Sequence, residues 1–233
     1  SIDFGTFTLR PGLRLEIFEQ ERVDRLAGSL YQDKFISVLL PGIAFSKNMF
    51  GNMFFGGVHR GFTPPSSGAL KILNFGENIE NSGLDLEAEK SWNKEAGFRG
   101  KLSIIDYEIA GFHIDIENLV AAGRGTAFKN LGKVTTQGLE VRMNYLFSEF
   151  TSILPNLDVT YTFLATEVKD ATIISNVSGS YGSEVSINGK KLPYSPAHTI
   201  IAGLELNLLN KFFIRPDLKY VSKVYTDFEN IEK

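Results

Sequence analysis

Gly138-Leu139-Glu140-Val141-Arg142-Met143-Asn144-Tyr145-Leu146-Phe147 alternates apolar and polar residues almost without a break. Leu139, Val141, Met143, Tyr145 and Phe147 fall on one side of an extended chain, and Glu140, Arg142 and Asn144 on the other. That period of two is the mark of a strand with one apolar face. The pattern recurs outward in both directions. Leu157, Val159, Tyr161, Phe163 and Ala165 alternate with Asp158, Thr160 and Thr162, and Ile200, Ala202, Leu204, Leu206 and Leu208 with Gly203, Glu205 and Asn207. Leu13, Leu15 and Ile17 alternate with Arg14 and Glu16, and Ala110, Phe112, Ile114 and Ile116 with Gly111, His113 and Asp115. Near the end, Phe212, Ile214, Leu218 and Tyr220 alternate with Arg215, Asp217 and Lys219. About ten strands are expected, and helical folds have little support.

Short and long gaps separate these segments by turns. Arg10-Pro11-Gly12 reads as a tight turn, as do Leu209-Asn210-Lys211 and the somewhat longer Ser148 to Asn156. The long polar gaps run over 21–34, 61–91, 118–135 and 169–198. Leu84 to Ala96 has helical propensity after an acidic first turn, against a weaker alternation of Trp92, Lys94, Ala96 and Phe98 with Asn93, Glu95, Gly97 and Arg99. The chain begins in what reads as a strand, Ile2 to Leu9, and stops at Glu232-Lys233, so a piece of a longer protein is expected.

Composition narrows the function. The 233 residues carry a net charge of −3, with a pI near 5.7, which leaves no basic field for a nucleic-acid backbone. No Cys is present, so disulfides, thiolate metal sites and thiol nucleophiles are excluded. Three His, at 59, 113 and 198, are little material for a metal centre. No apolar run reaches the roughly 18 residues of a membrane helix. Mean hydropathy is −0.04. A membrane barrel shares such a value with soluble proteins, because only alternate residues face lipid.

A soluble sandwich and a membrane barrel both explain alternation, one with the apolar face inward and the other with it in lipid. Three features favour the barrel. The strands are long, the gaps alternate short and long, and the polar face carries ions at mid-strand, such as Glu140 and Arg142. Tyr145, Phe147 and Phe212 flank short turns, where an interfacial girdle would lie.

Several stretches then become specific. Leu86-Glu87-Ala88-Glu89-Lys90-Ser91-Trp92-Asn93-Lys94-Glu95-Ala96-Gly97-Phe98-Arg99-Gly100 resembles the "L-x-P-E-x-S-x-x-x-E-x-G-x-R/K" segment of TonB-dependent outer-membrane receptors, with Ala88 in place of Pro. Asn130 to Glu140 resembles that family's "N-x-G-x-x-x-x-x-G-x-E" strand start, and Arg10-Pro11-Gly12-Leu13-Arg14 its "T-P-G-L-R" turn. Gly57 to Pro65 is similar to a strand-to-loop segment of ferric citrate-type receptors, and Leu192-Pro193-Tyr194-Ser195-Pro196-Ala197-His198 resembles the "L-P-Y-x-P-x-H" return from an external loop. These matches follow the family's order, and they turn the reading at residues 90–100 from helix to strand.

The resemblance implies an all-β, antiparallel, up-and-down transmembrane barrel of about 22 strands, of which 1–233 holds a middle stretch. The plug domain, the TonB box and the closing C-terminal strands are expected outside this sequence. It also implies a Gram-negative outer-membrane receptor, not an enzyme, that imports a ferric siderophore or ferric citrate. The TonB–ExbB–ExbD complex would supply the drive, and iron would be cargo, with no resident cofactor. His59 and Arg60, where a strand meets a long external loop, and Arg124 in another, are the candidate ligand contacts. They would act from high in the lumen, with guanidinium forking onto carboxylates. Arg14, Glu16, Glu95, Arg99, Glu140 and Arg142 are expected to face the lumen and to pair with one another or with the plug.

Other chemistry finds less. Asp85, Glu87 and Glu89 read as a solvated rim sooner than a metal cluster, and Gly123-Arg124-Gly125-Thr126 lacks the Lys-Ser/Thr ending of a phosphate loop. The alternatives are a small outer-membrane barrel enzyme, protease or lipase, with His59 and His198 at one rim, and a soluble β-sandwich carbohydrate-binding module with Leu139, Val141 and Met143 in its core.

Overall fold

The computed structural model describes residues 1–24, 29–64, 87–122, 128–150, 154–175, 177–208 and 212–232. Seven long strands follow one another as neighbours: β2 (Phe7–Asp24), β3 (Ser29–Met49), β4 (Asn52–Thr63), β5 (Glu89–Leu102), β6 (Ile105–Ala122), β7 (Phe128–Tyr145) and β8 (Asn156–Asp170). A two-residue strand, β1 (Ile2–Asp3), precedes them at the edge, and β11 (His198–Leu208) follows β8 in the sheet. On β11 pair β12 (Phe212–Ile214) and β13 (Asp217–Val221). These two are one strand interrupted at Arg215-Pro216. Leu206↔Ile214 and Gly203↔Asp217 keep a common register across the break, and Pro216, which has no N–H, still accepts from the Leu204 N–H at 3.1 Å. Counted so, ten antiparallel strands among the described residues form one sheet that does not close on itself. A separate hairpin, β9 (Thr172–Ile174) with β10 (Glu184–Ser186), lies between β8 and β11 in the chain.

Connections alternate in length as expected. Phe50 (φ 54°) and Gly51 (φ 76°) turn β3 into β4, and Ser103 (φ 55°) turns β5 into β6. A 3₁₀ turn at Phe147–Glu149 follows β7, where the Ser148 N–H donates to Asn156 Oδ1 at 3.0 Å. At the opposite end the strands run further than the polar gaps predicted. β2 continues to Asp24, β3 starts at Ser29, and β6 and β7 continue to Ala122 and from Phe128. Backbone pairing persists there although the side chains no longer alternate, because ladder hydrogen bonds do not require an apolar face. Residues 89–102 are strand, not helix.

Two expected features are corrected. Arg10-Pro11-Gly12 is no turn but lies inside β2, paired with Ala44, Ile43 and Gly42. Pro11 is thus part of a ladder and directly opposes Ile43 of β3. Ile2 to Leu9 is no single strand but a hairpin. Gly5 (φ 82°) makes the turn, and its N–H donates to Asp3 Oδ1 at 2.9 Å.

One register row crosses nine strands: Phe7, Lys47, Phe54, Phe98, Ile109, Val141, Tyr161, Ile200 and Tyr220. All nine share a face, since directly opposed residues point the same way. Most exposed large apolar side chains of the long strands lie on that face: Leu13, Leu15, Ile17, Ile43, Phe45, Val58, Leu139, Phe163, Leu204 and Leu218 among them. The opposite face carries Arg14, Glu16, Glu95, Arg99, Glu140 and Arg142. Leu139 remains 39% exposed, and among the described residues no second sheet is stacked on it, which removes the sandwich.

The apolar band does not follow the row. On β2 it is centred on Leu13, about six residues toward the long-loop end from Phe7; on β12–β13 its centre is near Pro216, about four residues toward the short-turn end from Tyr220. At ~3.4 Å per residue and ~4.8 Å per strand, the band slants by about 40° to the row. Strands of membrane barrels tilt by roughly 35–45°, and a bilayer cuts such strands obliquely at this angle.

β6 contradicts the sequence reading. Ala110, Phe112, Ile114 and Ile116 pair with Glu140, Gly138, Thr136 and Val134, and so lie on the face of Glu140; His113 and Asp115 lie on the apolar face. The slanted band explains it. By β6 the band has dropped to Tyr107 and Ile109, so the upper outer face is free to be polar. The upper inner face meets a core. Val134 and Val168 are buried with Ile187 and Ala171, and Ile116, Ile173, Leu192 and Phe228 pack around them.

Candidate functional site

The polar face divides into an outer mouth and a lower bay. At the mouth, the segment after β8 folds over the inner face of β7 and β8. Ile187 is fully buried on Val134 and Val168. The Gly189 N–H donates to Val168 O and the Val168 N–H to Lys190 O, both at 2.8 Å, and the Leu192 N–H donates to buried Thr166 Oγ1 at 3.0 Å. The last described segment seals the same place. Ser175 Oγ, itself buried, donates to Glu229 Oε1 at 2.8 Å, and Asn230 Oδ1 accepts from the Lys191 N–H at 2.7 Å.

His59 lies on the polar face of β4, between Gly42 and Asn93 in register, in the row that reaches Thr136 of β7 three strands away. A Cβ on Gly42 would lie 3.0 Å from the His59 Cβ, so a glycine gives the histidine room. Asn93 Nδ2 donates to Ser91 Oγ at 3.0 Å, which lines the polar groups Ser91 and Asn93 up above Glu95.

The lower bay, of about 400 Å³, is lined by Arg99, Asp106, Glu108, Arg142 and Asn144. Arg99 Nη1 lies 3.6 Å from Glu108 Oε2, and register places Glu108 directly between Arg99 and Arg142. Cross-strand charges of alternating sign support the sheet, while half-exposed heads stay free to meet a second surface. Toward the edges, Arg14 Nε pairs with Glu16 Oε1 at 2.9 Å, and Arg215 bridges Asp158 (3.2 Å) and Asp217 (3.4 Å).

Register places Arg14, Glu16, Glu95, Arg99, Glu140 and Arg142 on one face of the sheet. Arg60 does not join His59. As its neighbour in β4 it points to the apolar face, with its guanidinium 5.5 Å over the Trp92 ring and its Nε buried without a hydrogen-bond partner. The lumen position expected for Arg60 is thus corrected by the period of two itself. His198 also lies on the apolar face, where Tyr161 Oη and Nδ1 are 3.0 Å apart. The rim pair His59/His198 of the barrel-enzyme alternative is split between opposite faces. Arg124 and Asp85 lie outside the described residues. Glu89 Oε1 accepts from the Val120 N–H at 2.8 Å, and Glu87 accepts from Asn118, so both acids tie β5 to the outer end of β6.

Sequence reasoning missed Asp106, Glu108 and Asn144 of the bay as a group, and Ile187 of the seal. A signal for the first was present. Asp106 and Glu108 share parity with Ala110 and Phe112, while Tyr107 and Ile109 do not, so the lower half of β6 alone gives the correct facing. Ile187 sits in a polar stretch with no periodicity to mark it.

Comparison with known proteins agrees with this architecture. The siderophore receptor PiuA from Acinetobacter baumannii superposes with a TM-score of 0.72 at 16% identity, over 97% of this chain and 32% of PiuA. The ferric citrate transporter FecA, in its unliganded form, gives 0.70 at 19% identity, over 98% of this chain and 32% of FecA. The ferric yersiniabactin uptake receptor FyuA from Yersinia pestis gives 0.65 at 16%, over 97% and 33%. The chain thus shares their fold and spans about a third of the length of each. The family model described as "TonB dependent receptor-like, beta-barrel" matches residues 1–232. The chain belongs to the TonB-dependent receptor β-barrel family and is a stretch of Gram-negative outer-membrane barrel.

Proposed function

We propose that this chain is part of the wall of a receptor that imports a ferric chelate, a siderophore or ferric citrate, under the drive of TonB. The observation that carries the reading is the slanted apolar band on one face, backed by an opposite face that carries Arg14, Glu16, Glu95, Arg99, Glu140 and Arg142, which gives the sheet a lipid side and an aqueous side. The iron-chelate class is supported by the solved relatives, which include receptors for siderophores, ferric citrate and ferric yersiniabactin.

In this reading the chain makes and breaks no bonds. Its outer mouth, partly covered by the packed 171–197 segment, admits the chelate. His59 is the described candidate contact, and Arg124 remains one by its loop position. Arg60 is not, since it faces lipid. The Arg99–Glu108–Arg142 row lies deep in the bore, where paired charges of both signs suit contact with a polar plug better than with one anionic chelate. TonB, with ExbB and ExbD, would act through that plug, and the wall would supply the fixed surface against which it moves.

The test is uptake of radioactive iron by cells that express the complete receptor, offered as ferric citrate or as ferric siderophores. Uptake of one chelate that stops when the proton gradient is collapsed agrees with the reading. Gradient-independent leakage of small solutes, with no chelate preference, contradicts it.

A further inference from the structure

Two external segments meet at the outer mouth. One, residues 171–175 and 177–197, lies between β8 and β11; the other, residues 222–232, follows β13. They are joined side by side. The Lys191 N–H donates to Asn230 Oδ1 at 2.7 Å, and Asn230 Nδ2 donates back to the Lys191 carbonyl at 2.9 Å. The Tyr194 N–H donates to the Tyr225 carbonyl at 2.8 Å. At the foot of both segments the His198 N–H donates to Ser222 Oγ at 3.0 Å, and the Ser222 N–H to the His198 carbonyl at 2.9 Å.

The joined body is also seated on the wall. Val168 of β8 donates to the Lys190 carbonyl and accepts from the Gly189 N–H, so two residues of the segment oppose one of the strand, as in a β-bulge. Gly189, at φ 76°, gives the chain the left-handed bend this needs. Both segments enter one core: Ile187 from the first and Phe228 from the second pack with Val134 and Val168. Ile187 and Val168 are 0% exposed and Val134 is 1% exposed. Asp227 closes the end of the second segment, accepting from the Ile231 N–H at 3.1 Å and the Glu232 N–H at 2.8 Å.

Segments that swing away in function have few buried apolar contacts and solvent-exposed backbone bonds. This body has the opposite construction. To leave β7 and β8 it would have to expose Ile187, Phe228, Val134 and Val168 to water together and break the bonds at Val168 and Thr166.

We propose that the two segments form one fixed jaw of the mouth, which stays seated on β7 and β8 while cargo enters. The chelate then passes on the bore side of the jaw, toward the polar face of β4 and β5, where His59 and Glu95 are exposed. The proposal rests on the import reading and deepens it by assigning the entrance a side that does not move.

The seat is tested by hydrogen exchange of the complete unmodified receptor, free and with whichever of ferric citrate and a ferric catecholate it imports. The amides of Val168, Gly189, Leu192 and Tyr194 are expected to stay protected in both states. Fast exchange at these amides in the free receptor, or loss of their protection when the chelate is added, overturns the jaw. The joint is tested by Lys191→Cys with Asn230→Cys in an otherwise cysteine-free receptor, bridged by a short bis-methanethiosulfonate reagent that a reductant removes. The bridged receptor, its bridge verified by mass spectrometry, is expected to keep more than half of the unbridged rate of radioactive iron uptake. Loss of more than half on bridging, restored by the reductant, overturns the jaw. Absence of import by the unmodified receptor contradicts the import reading alone, and exchange in the free receptor still decides whether the jaw is fixed.

Discussion

The Phe112 ring of β6 occupies the space in front of Gly138 of β7: a Cβ on Gly138 would lie 2.5 Å from the Phe112 Cζ and 2.3 Å from the Phe163 carbonyl oxygen. The glycine is there because its neighbour's ring takes its side-chain volume on the inner face. Gly138→Ala is therefore expected to destabilise the complete receptor by about 1–3 kcal/mol, as overpacking does. Gly111→Ala, one strand away and open on the other face, is expected to be close to neutral. Urea unfolding midpoints of the two variants check this, and equal midpoints would contradict it.

His59 and Arg60 are adjacent in sequence and opposite in space. In chelate-binding titrations, Arg60→Ala is expected to leave affinity within about 0.5 kcal/mol of the wild type, the range of changes remote from a site. His59→Ala is expected to weaken binding. The reverse order would return Arg60 to the lumen.

Val141 lies within the apolar band, and Thr162 of β8 lies on the opposite face. Val141→Arg is expected to lower folding stability in phospholipid vesicles by about 2–4 kcal/mol, the cost of a cation at mid-bilayer on a lipid-facing strand. Thr162→Arg is expected to cost far less. Equal costs would mean that the faces are assigned wrongly.

Ile187 holds the outer segment onto Val134 and Val168. Ile187→Ala is expected to weaken that local packing by about 2–5 kcal/mol. Limited proteolysis then reads faster cleavage within 171–197, with the barrel strands left intact. An unchanged digestion pattern would show that the hydrogen bonds at Val168 and Thr166 suffice alone.

Much of this was legible in the residues, because a bilayer imposes a strict period of two wherever a strand lies inside it. Leu139 to Tyr145, Leu157 to Ala165 and Ile200 to Leu206 read correctly as strands for that reason. β6 misled because its upper half has left the apolar band. Phe112 and Ile116 are apolar there to serve Gly138 and the inner core, and His113 and Asp115 are polar because they stand at the outer rim. Pro11 misled because Arg10-Pro11-Gly12 has the composition of a turn, while its backbone stays in the ladder opposite Ala44, Ile43 and Gly42. The bay escaped because Arg99, Glu108 and Arg142 come from three strands, and only register brings them level.

The slant of the apolar band bears the whole account. Nitroxide labels placed singly at Phe7, Leu13, Val141, Leu204 and Tyr220, in the complete receptor in lipid nanodiscs, read depth by the balance of oxygen and nickel relaxation. Leu13, Val141 and Leu204 are expected at one common depth near mid-bilayer, with Phe7 near the inner interface and Tyr220 near the outer. Equal depth for Phe7, Val141 and Tyr220, which share a register row, would mean strands upright in the membrane and would contradict the barrel geometry described.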